Sequence, residues 1–304
     1  MRILVTGSEG NIGKKLVPYL MECGHEVVGC DIVPKFTKDY IQCNICNPTD
    51  LVKIFNTFLP EAVINLAAIY GRVTCEKSPS HTTDVNISGV NNVIQLCKAY
   101  RAKFVYFSSS EIYTNNTEIK KEYLINQTQN NIYGLTKYLG ELLVKYEVEH
   151  NNLNAAIIRP FTIYDEDETM GEHRSAIIRF AEQLCRNNPI EVHLNSERTW
   201  LHISDAVRII EKVLHFEKFE IINIGSSEKI STMSIAHFMC GRLGLACSDY
   251  VKEIDQPSQM SLVKTPDLYK QTSLTGIVPK VSIFDGVDLV INKMKERVKN
   301  GINR

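Results

Sequence analysis

The sequence has no long apolar run, no charged tail and no surplus of charge of either sign. No stretch of roughly 18 apolar residues occurs, so we expect no segment that crosses a membrane and no membrane partner. Lysine and arginine number 34 and aspartate and glutamate 35, so the formal net charge of −1 does not favour a nucleic-acid partner. The apolar run at residues 3–5 is too short for a secretory signal, and we therefore expect a cytoplasmic protein.

Metal-ligating patterns are equally scarce, although the chain contains nine cysteines. Cys43 and Cys46 form one Cys-x-x-Cys pair, but no second close pair of cysteines or histidines completes a zinc site. We therefore expect no metal, and thiols that stay reduced. A chain of 304 residues is long enough for about two domains and can bury a core without disulfides or metals.

Short apolar runs alternate with helical patterns along the first 160 residues. The predicted strands are 2–6, 26–31, 62–66, 103–108, 154–159 and 220–224, and the predicted helices are 11–24, 50–58, 82–100, 131–150, 175–186, 205–216 and 282–299. Apolar strands between helices are typical of a parallel sheet that is covered on both faces. Because crossovers in such sheets are right-handed, the pattern predicts an α/β fold with a Rossmann-type, doubly wound sheet.

The pattern becomes less regular after residue 160, which indicates a second domain. The predicted strand 220–224 and the helix before it can rejoin the first sheet. We therefore predict a dinucleotide-binding domain over 1–160, to which 199–224 returns. A smaller, discontinuous substrate-binding domain is predicted over 161–198 and 225–304.

A glycine-rich turn lies between the first predicted strand and the first helix. Gly7, Gly10 and Gly13 permit a tight turn and a close approach of the backbone to a pyrophosphate, and the helix presents unpaired N–H groups to the anion. Asp31 ends the next strand, where a carboxylate can bind both ribose hydroxyls of NAD and repels the 2′-phosphate of NADP. The sequence therefore predicts NAD as the cofactor; the alternative is a purely structural set of turn glycines.

A second group of polar residues comes after a central predicted strand. Tyr133 and Lys137 lie four residues apart on a predicted helix and share one face. A lysine cation together with a cationic nicotinamide favours the tyrosinate, which is a base for a substrate hydroxyl. Such a pair is common by chance. However, Ser109, Ser110 and Glu111 come directly after a strand of the same sheet, and ligands bind outside the carboxyl ends of such strands.

The motifs of the chain, taken in order, resemble those of the extended short-chain dehydrogenase/reductases, the nucleotide-sugar epimerase/dehydratase family. The matching segments are TGSEGNIG (6–13), VINLAA (63–68), DVNISG (84–89), FSSSEIY (107–113), YGLTK (133–137), IRPF (158–161), RTWLHISD (198–205) and NIG (223–225). The resemblance runs nearly from end to end. It implies an NAD-dependent enzyme whose substrate is a nucleotide-diphosphate sugar.

The resemblance also implies roles for individual residues. Tyr133 is the expected base, Lys137 its partner and a ribose ligand, and Ser109 the hydroxyl that hydrogen-bonds the reacting O4. Arg198 is the expected ligand of the nucleotide diphosphate, since a guanidinium suits bidentate contact with phosphate; the alternative is a surface ion pair. Further cofactor contacts are implied at Asn11, Ile12, Asn44, Ile45, Leu66, Ala67, Ala68 and Asn86, and further substrate contacts at Ser110, Thr162, Arg174 and His193.

Three residues depart from the family pattern. Asn44 stands where an aspartate often contacts adenine, and Thr162 where an asparagine often binds the substrate phosphate. Asp165 replaces a usual glycine. These departures leave the nucleotide and the sugar of the substrate open.

Members of the family begin by oxidising the sugar at C4 and differ in their later chemical steps. Glu111 could be a base for C5 with a pKa raised by burial, as a dehydratase needs, or a polar residue at the start of a loop. The trio 109–111 resembles that of GDP-mannose 4,6-dehydratases and UDP-glucuronate decarboxylases, whereas 67–76 resembles generic epimerases. We therefore predict first an epimerase that acts through a transient C4-keto intermediate. The alternatives are a 4,6-dehydratase, a 4-dehydrogenase and a non-catalytic NAD-binding regulator.

The resemblance finally implies a homodimer. Family members commonly pair through a four-helix bundle, which in this chain involves helices 82–100 and 131–150. Apolar residues that we expect on the outward faces of these helices are Val90, Ile94, Leu139, Leu143 and Tyr146.

Overall fold

A computed structural model of the chain describes residues 1–113, 119–125, 128–169, 175–255 and 263–301. The strands are β1 Arg2–Thr6, β2 Glu26–Asp31, β3 Tyr40–Gln42, β4 Ala62–Asn65, β5 Lys103–Phe107, β6 Ile119–Lys120, β7 Ala155–Pro160, β8 Thr162–Tyr164, β9 Ile190–His193, β10 Glu197–His202, β11 Glu220–Ile224, β12 Lys229–Ser231, β13 Val251–Ile254 and β14 Val263–Pro266. The helices are α1 Gly13–Glu22, α2 Pro48–Phe58, α3 Arg72–Lys77, α4 Pro79–Thr83, α5 Val90–Tyr100, α6 Ile132–Asn151, α7 Ala176–Cys185, α8 Ile203–Val213, α9 Thr232–Leu243, α10 Cys247–Tyr250, α11 Tyr269–Thr275 and α12 Ile283–Lys299. A π-helical turn, Asp84–Gly89, joins α4 to α5, and a short 3-10 turn, Ser110–Ile112, lies shortly after β5.

Seven parallel strands form the central sheet, in the order β11-β7-β5-β4-β1-β2-β3. Side chains of each strand alternate between its two faces. Ile3 and Val5 of β1 belong to a buried cluster with α1 and α8, whereas Leu4 between them belongs to a second cluster with α2 and α5. Helices thus cover both faces, and the prediction of a Rossmann-type sheet is confirmed.

A separate buried cluster lies among α7, α9 and α12, away from the central sheet. Strand β10 adjoins this cluster and pairs with β8, β12 and β14. Trp200 on β10 meets the ring of Tyr164 edge-on, with their centres 6.4 Å apart. The chain returns from this region to the central sheet, because β11 pairs with β7. The division into two domains stays a prediction.

A buried ion pair connects helix α6 to the central sheet. Arg159 on β7 donates from Nε and Nη2 to Glu141 at 2.8 and 2.7 Å, and both side chains are fully buried. The Arg159 Nη1 group also donates to Tyr113 Oη at 2.8 Å. The Asn131 side chain caps the helix by accepting a hydrogen bond from the Gly134 amide at 2.8 Å, which fixes where the helix begins. Loss of one partner of such a buried pair costs roughly 3–5 kcal/mol.

Helix α6 also approaches β5 unusually closely, at a position that has no side chain. A Cβ atom at Gly140 would lie only 2.1 Å from Tyr106 Oη, on the adjacent strand β5. The same Oη atom donates to the Lys137 carbonyl oxygen at 3.4 Å. Glycine at 140 therefore lets the helix rest on the tyrosine ring.

Helices α5 and α6, which we expected to form the dimer interface, do not expose all the apolar residues that we predicted on their outward faces. Val90 and Ile94 are fully buried in the core of this chain, so the prediction that they face outward is wrong: their stripe of α5 packs on the sheet. On α6, Leu142 and Tyr146 are exposed, whereas Leu143 is partly buried. Within the described part of the chain, no helix combines the length and the apolar character that a membrane span requires.

Candidate active site

A cavity of about 1170 Å³ opens at the carboxyl ends of the central strands, between them and the region of β8, β9, β10 and β14. Such an edge is where ligands bind in open parallel sheets. The sequence-predicted site residues that line the cavity are Gly7, Gly10, Asn11, Ile12, Gly13, Asp31, Asn44, Ile45, Leu66, Ala67, Ala68, Ser109, Ser110, Glu111, Tyr133, Lys137, Thr162, His193 and Arg198. Of the remaining two, Asn86 does not line it, and Arg174 lies outside the described residues.

The turn after β1 needs glycine at its first position. Gly7 has a φ of +71°, and a Cβ atom there would lie 2.6 Å from the Ala67 backbone nitrogen. The Gly10 amide donates back to the Gly7 carbonyl at 3.1 Å, which closes the turn. Helix α1 then begins at Gly13, on the wall of the cavity, so the positive end of its dipole lies beside this space. These features suit a pyrophosphate.

Asp31 ends β2 beside this turn. Its Oδ2 atom accepts a hydrogen bond from the Glu9 amide at 3.0 Å, and its Oδ1 atom accepts one from the Val33 amide at 3.3 Å. A carboxylate has about four acceptor sites, so two amide contacts orient it and leave capacity for ribose hydroxyls. The glycine turn, the start of α1 and this carboxylate together fit a dinucleotide.

Asn86 has a different position from the one expected. It is fully buried, and its Oδ1 atom accepts from the Ile69 amide at 2.8 Å. Its Nδ2 atom donates to the Ile69 carbonyl at 2.9 Å and to Thr136 Oγ1 at 3.1 Å. We therefore correct its assignment from cofactor contact to positioning residue, since it holds the loop after β4 against α6.

Three of the four predicted catalytic residues, Tyr133, Lys137 and Ser109, meet where β5 ends. The Tyr133 side chain is hydrogen-bonded with Ser109; desolvation in the cavity raises the pKa of Tyr133 well above its ordinary value, and this hydrogen bond opposes the rise. Lys137 Nζ donates to the Phe107 carbonyl at 2.8 Å and lies 5.9 Å from the centre of the Tyr133 ring. Burial lowers the pKa of Lys137 to about 8. The phenol therefore keeps its proton at neutral pH in the protein alone, and the lysine by itself does not produce the tyrosinate.

Glu111 is partly buried beside Ser109 and Tyr133, and its surroundings bear on the two roles left open for it, a C5 base with a raised pKa or a polar residue at the start of a loop. Its Oε1 atom accepts a hydrogen bond from Lys264 Nζ, and its Oε2 atom lies 3.5 Å from Arg72 Nε. Desolvation by itself raises the pKa of Glu111, but Lys264, Arg72 and Arg198 together lower it to about 2. These cations therefore favour the second role, because they outweigh the effect of burial on the pKa of Glu111.

Arg72 and Lys264 line the cavity but were not among the predicted site residues. Arg72 opens α3, within the segment 67–76, whose resemblance to generic epimerases assigned no role to single residues, and Lys264 lies on β14, remote in sequence. The Lys264 side chain is 8 % exposed, and burial foremost lowers its pKa. No sequence pattern pointed to either residue before the fold was known.

The described residues that we predicted to contact a substrate form part of the wall of the same cavity. Arg198 on β10 donates from Nη1 to the Glu197 carbonyl at 2.8 Å; burial lowers its pKa to about 10, so it stays cationic at neutral pH. His193 lines the cavity at the end of β9, where burial lowers its pKa and favours the neutral ring. Thr162 on β8 and Ser110 complete this wall.

The chain matches a known protein family over most of its length. The sequence model of the NAD dependent epimerase/dehydratase family matches residues 3–225. A UDP-glucuronate 4-epimerase of Thermodesulfobacterium geofontis is 28% identical over 318 aligned residues, which cover 97% of both chains. A UDP-glucuronic acid decarboxylase of Arabidopsis thaliana is 24% identical, over 98% of this chain and 69% of that protein.

Solved structures have the same fold. The UDP-glucuronic acid 4-epimerase of Bacillus cereus, in complex with UDP-glucuronic acid and NAD, superposes with a TM-score of 0.88 at 25% identity. The superposition covers 97% of this chain and 99% of that one.

Proposed function

Since the chain belongs to the NAD dependent epimerase/dehydratase family, and is thus an enzyme whose cofactor is NAD, we propose that it epimerises a nucleotide-diphosphate sugar through a transient C4-keto intermediate. One observation carries this proposal. The Tyr133 phenol, the Ser109 hydroxyl and the Lys137 ammonium stand together on the wall of one cavity, with the tyrosine and the serine hydrogen-bonded. This arrangement is suited to moving a proton on and off a sugar hydroxyl.

Each of the three residues has a distinct task in this proposal. With the positive charges of Lys137 and of a bound nicotinamide nearby, Tyr133 would lose its own proton to solvent, and its phenolate would accept the O4 proton and later return it. Ser109 holds O4 in place by a hydrogen bond. Lys137 is still cationic at neutral pH, and its charge 5.9 Å from the ring favours the phenolate against the effect of desolvation. NAD, when bound, supplies the acceptor and donor of the hydride.

The cofactor site proposed here comprises the turn and the strand ends described above. The amides of 7–13 and the start of α1 bind the pyrophosphate, and Asp31 binds the ribose hydroxyls. Asn44, Ile45 and residues 66–68 line the same cavity and would contact NAD, Asn44 and Ile45 at its adenine end.

The proposed substrate site lies on the opposite wall. Arg198 binds the nucleotide diphosphate, because a buried guanidinium offers paired donors to phosphate oxygens. Thr162, His193 and Ser110 contact the remainder of the substrate. The names of the relatives, which act on UDP-glucuronate, support a nucleotide-sugar substrate.

A 4,6-dehydratase is the second candidate, because a carboxylate stands beside the catalytic tyrosine as that reaction requires. Glu111 and Tyr133 line the same cavity, and the Glu111 amide donates at 3.1 Å to the Ser109 hydroxyl, which is hydrogen-bonded with Tyr133. However, a carboxylate whose pKa is about 2 is a weak base for a C5 proton. This observation favours epimerisation over dehydration.

A panel of nucleotide sugars distinguishes these reactions. The purified protein with NAD is incubated with UDP-, GDP-, dTDP- and CDP-linked hexoses and uronic acids, and the products are analysed by mass spectrometry and chromatography. Epimerisation gives a new isomer of unchanged mass. Loss of one water would establish a dehydratase instead, and loss of two hydrogens a net dehydrogenase.

We also propose a cytoplasmic homodimer that pairs through the helical segments 82–100 and 131–150. The apolar side chains Leu135, Leu142 and Tyr146 are exposed on α6 and support a partner surface there. Light scattering at micromolar concentration should give twice the mass of the chain. Replacing Leu142 and Tyr146 by glutamate should yield monomers, and a dimer that persists in this variant would contradict the assigned surface.

A further inference from the structure

The cavity gathers three cationic side chains around a single carboxylate next to the catalytic tyrosine. Lys264 and Arg72 contact the two oxygens of Glu111, and Arg198 lies close enough to act on the pKa of the same carboxyl group. Lys264 and Arg198 are register partners on the adjacent strands β14 and β10. Among the described residues, the single charge of Glu111 can therefore balance only one of the two cations, Lys264 and Arg72, that contact its carboxylate.

The position of this cluster indicates which part of a substrate it would meet. The Glu111 amide donates to Ser109 Oγ at 3.1 Å, and the Glu111 charge raises the pKa of Tyr133. The cluster thus borders the groups proposed to handle the C4 hydroxyl. A ligand that reaches Lys264 and Arg72 does so with its sugar, whereas the diphosphate is assigned to Arg198.

The chemistry of the two cations favours a carboxylate as that ligand. The Lys264 side chain is 8 % exposed, and a buried ammonium is costly unless anions surround it. Arg72 meets Glu111 through Nε, and the Nη groups of its guanidinium are a geometric match for a second carboxylate. A neutral sugar offers hydroxyl groups, which cannot balance a charge.

Resting on the proposed function, we propose that Arg72 and Lys264 form a carboxylate subsite, so that the substrate is a nucleotide-linked uronic acid. Glu111 is the internal counter-ion of this subsite: it holds both cations in place between turnovers. The subsite binds the carboxylate of the sugar. This contact orients the ring so that its C4 hydroxyl lies next to Tyr133. The site discriminates against neutral hexoses, because they leave the surplus charge of the subsite unbalanced.

Binding measurements test this subsite without relying on turnover. The protein saturated with NAD is titrated calorimetrically with UDP-glucuronate, UDP-glucose and UDP. We expect UDP-glucuronate to bind about 10- to 100-fold more tightly than UDP-glucose. The Lys264→Met variant should lose that preference while its affinity for UDP stays within about threefold of the parent. Lys264→Arg, which keeps the charge, should retain most of the preference.

Lys229→Met is the matched control, because Lys229 lies on β12 next to β10, pairs with Glu197 and does not line the cavity. It should bind all three ligands like the parent. Thermal unfolding of each variant confirms that it is folded; if Lys264→Met is not folded, Arg72→Gln takes its place with the same expected result. Equal affinity of the parent for UDP-glucuronate and UDP-glucose would overturn the subsite alone. Failure of all three ligands to bind would count against the proposed function as well.

Discussion

Lys264 donates a hydrogen bond to the Glu111 carboxylate, although the two residues are 153 positions apart in the chain. The contact connects strand β14 to the turn after β5, and Arg72 approaches the other carboxylate oxygen from α3. Because these cations hold Glu111 ionised, the carboxylate is better suited to organising charge than to removing a proton from carbon. We therefore expect a change at Glu111 to affect the rate of the reaction rather than its outcome.

Replacing Glu111 by glutamine should leave the identity of the product unchanged. The exchange removes one charge and weakens a hydrogen bond, so we expect a slower reaction, by roughly 1–3 kcal/mol in activation free energy. A C4 epimerase does not break the C5–H bond, so the product formed in deuterated water should carry no deuterium at C5. Deuterium at C5 with loss of water would instead establish a dehydratase. Deuterium at C5 without a change in mass other than the label would indicate a C5 epimerase.

Replacing Tyr133 by phenylalanine should abolish the oxidation of the sugar while NAD still binds. Without the phenol no group accepts the O4 proton, and the loss of positioned acid–base help costs on the order of 10²–10⁴ in rate. Single-turnover absorbance of NADH measures the rate, and calorimetry measures NAD affinity. Tyr138→Phe, on the same helix, is the control and should behave like the parent. Near-parental reduction of NAD by Tyr133→Phe would mean that another residue is the base.

Asp31 should make the protein prefer NAD over NADP. Its carboxylate, which the Glu9 amide orients at 3.0 Å, would face the 2′-phosphate of NADP at close range. We expect a preference of about tenfold or more, and Asp31→Asn should reduce it by removing the charge. Titration of both cofactors into both proteins measures this effect. Equal affinities for NAD and NADP in the parent would refute the role assigned to Asp31.

Glu168 should make stability fall as the pH rises towards neutrality. It lines the cavity, and burial foremost raises its pKa from an ordinary 4.5 to about 7. The folded state therefore holds a proton that the unfolded chain has already lost in this interval. The contribution of Glu168 to the free energy of unfolding is fully present below pH 4.5. It decreases by up to about 3 kcal/mol as the pH rises through 7.

The Glu168→Gln variant isolates this contribution. Glutamine cannot ionise, so the variant should gain stability relative to the parent between pH 5 and pH 8, as measured by denaturant unfolding at each pH. Glu149→Gln, at an exposed position of α6, is the control and should behave like the parent. Parallel pH profiles for Glu168→Gln and the parent would show that the folded protein does not hold this proton.

The sequence indicated those features that depend on residues close together in the chain. Alternating apolar strands and helices predicted the parallel sheet, and the residues after strand ends predicted the contents of its carboxyl edge, because parallel strands bring those ends together. Lys264 could not be placed in this way, because it contacts Glu111 from β14, outside the central sheet. Arg72 opens α3, beyond the loop that follows β4, and only the fold shows that it approaches Glu111. Asn86 belongs to a matching motif, but only packing shows that it holds the loop at Ile69 rather than lining the cavity.

The close approach at Gly140 has a consequence for how this enzyme can diversify. The helix that carries Tyr133 and Lys137 rests on Tyr106, and β5, to which Tyr106 belongs, leads directly to Ser109. The distance between Tyr133 and the Ser109 hydroxyl is therefore set partly by Gly140, a residue that does not line the cavity. A methyl group at position 140 would collide with Tyr106 and push α6 away from β5. We expect such a change to lower the rate of the reaction although every side chain of the cavity stays the same. Libraries that vary only cavity-lining positions would leave this determinant of turnover unsampled.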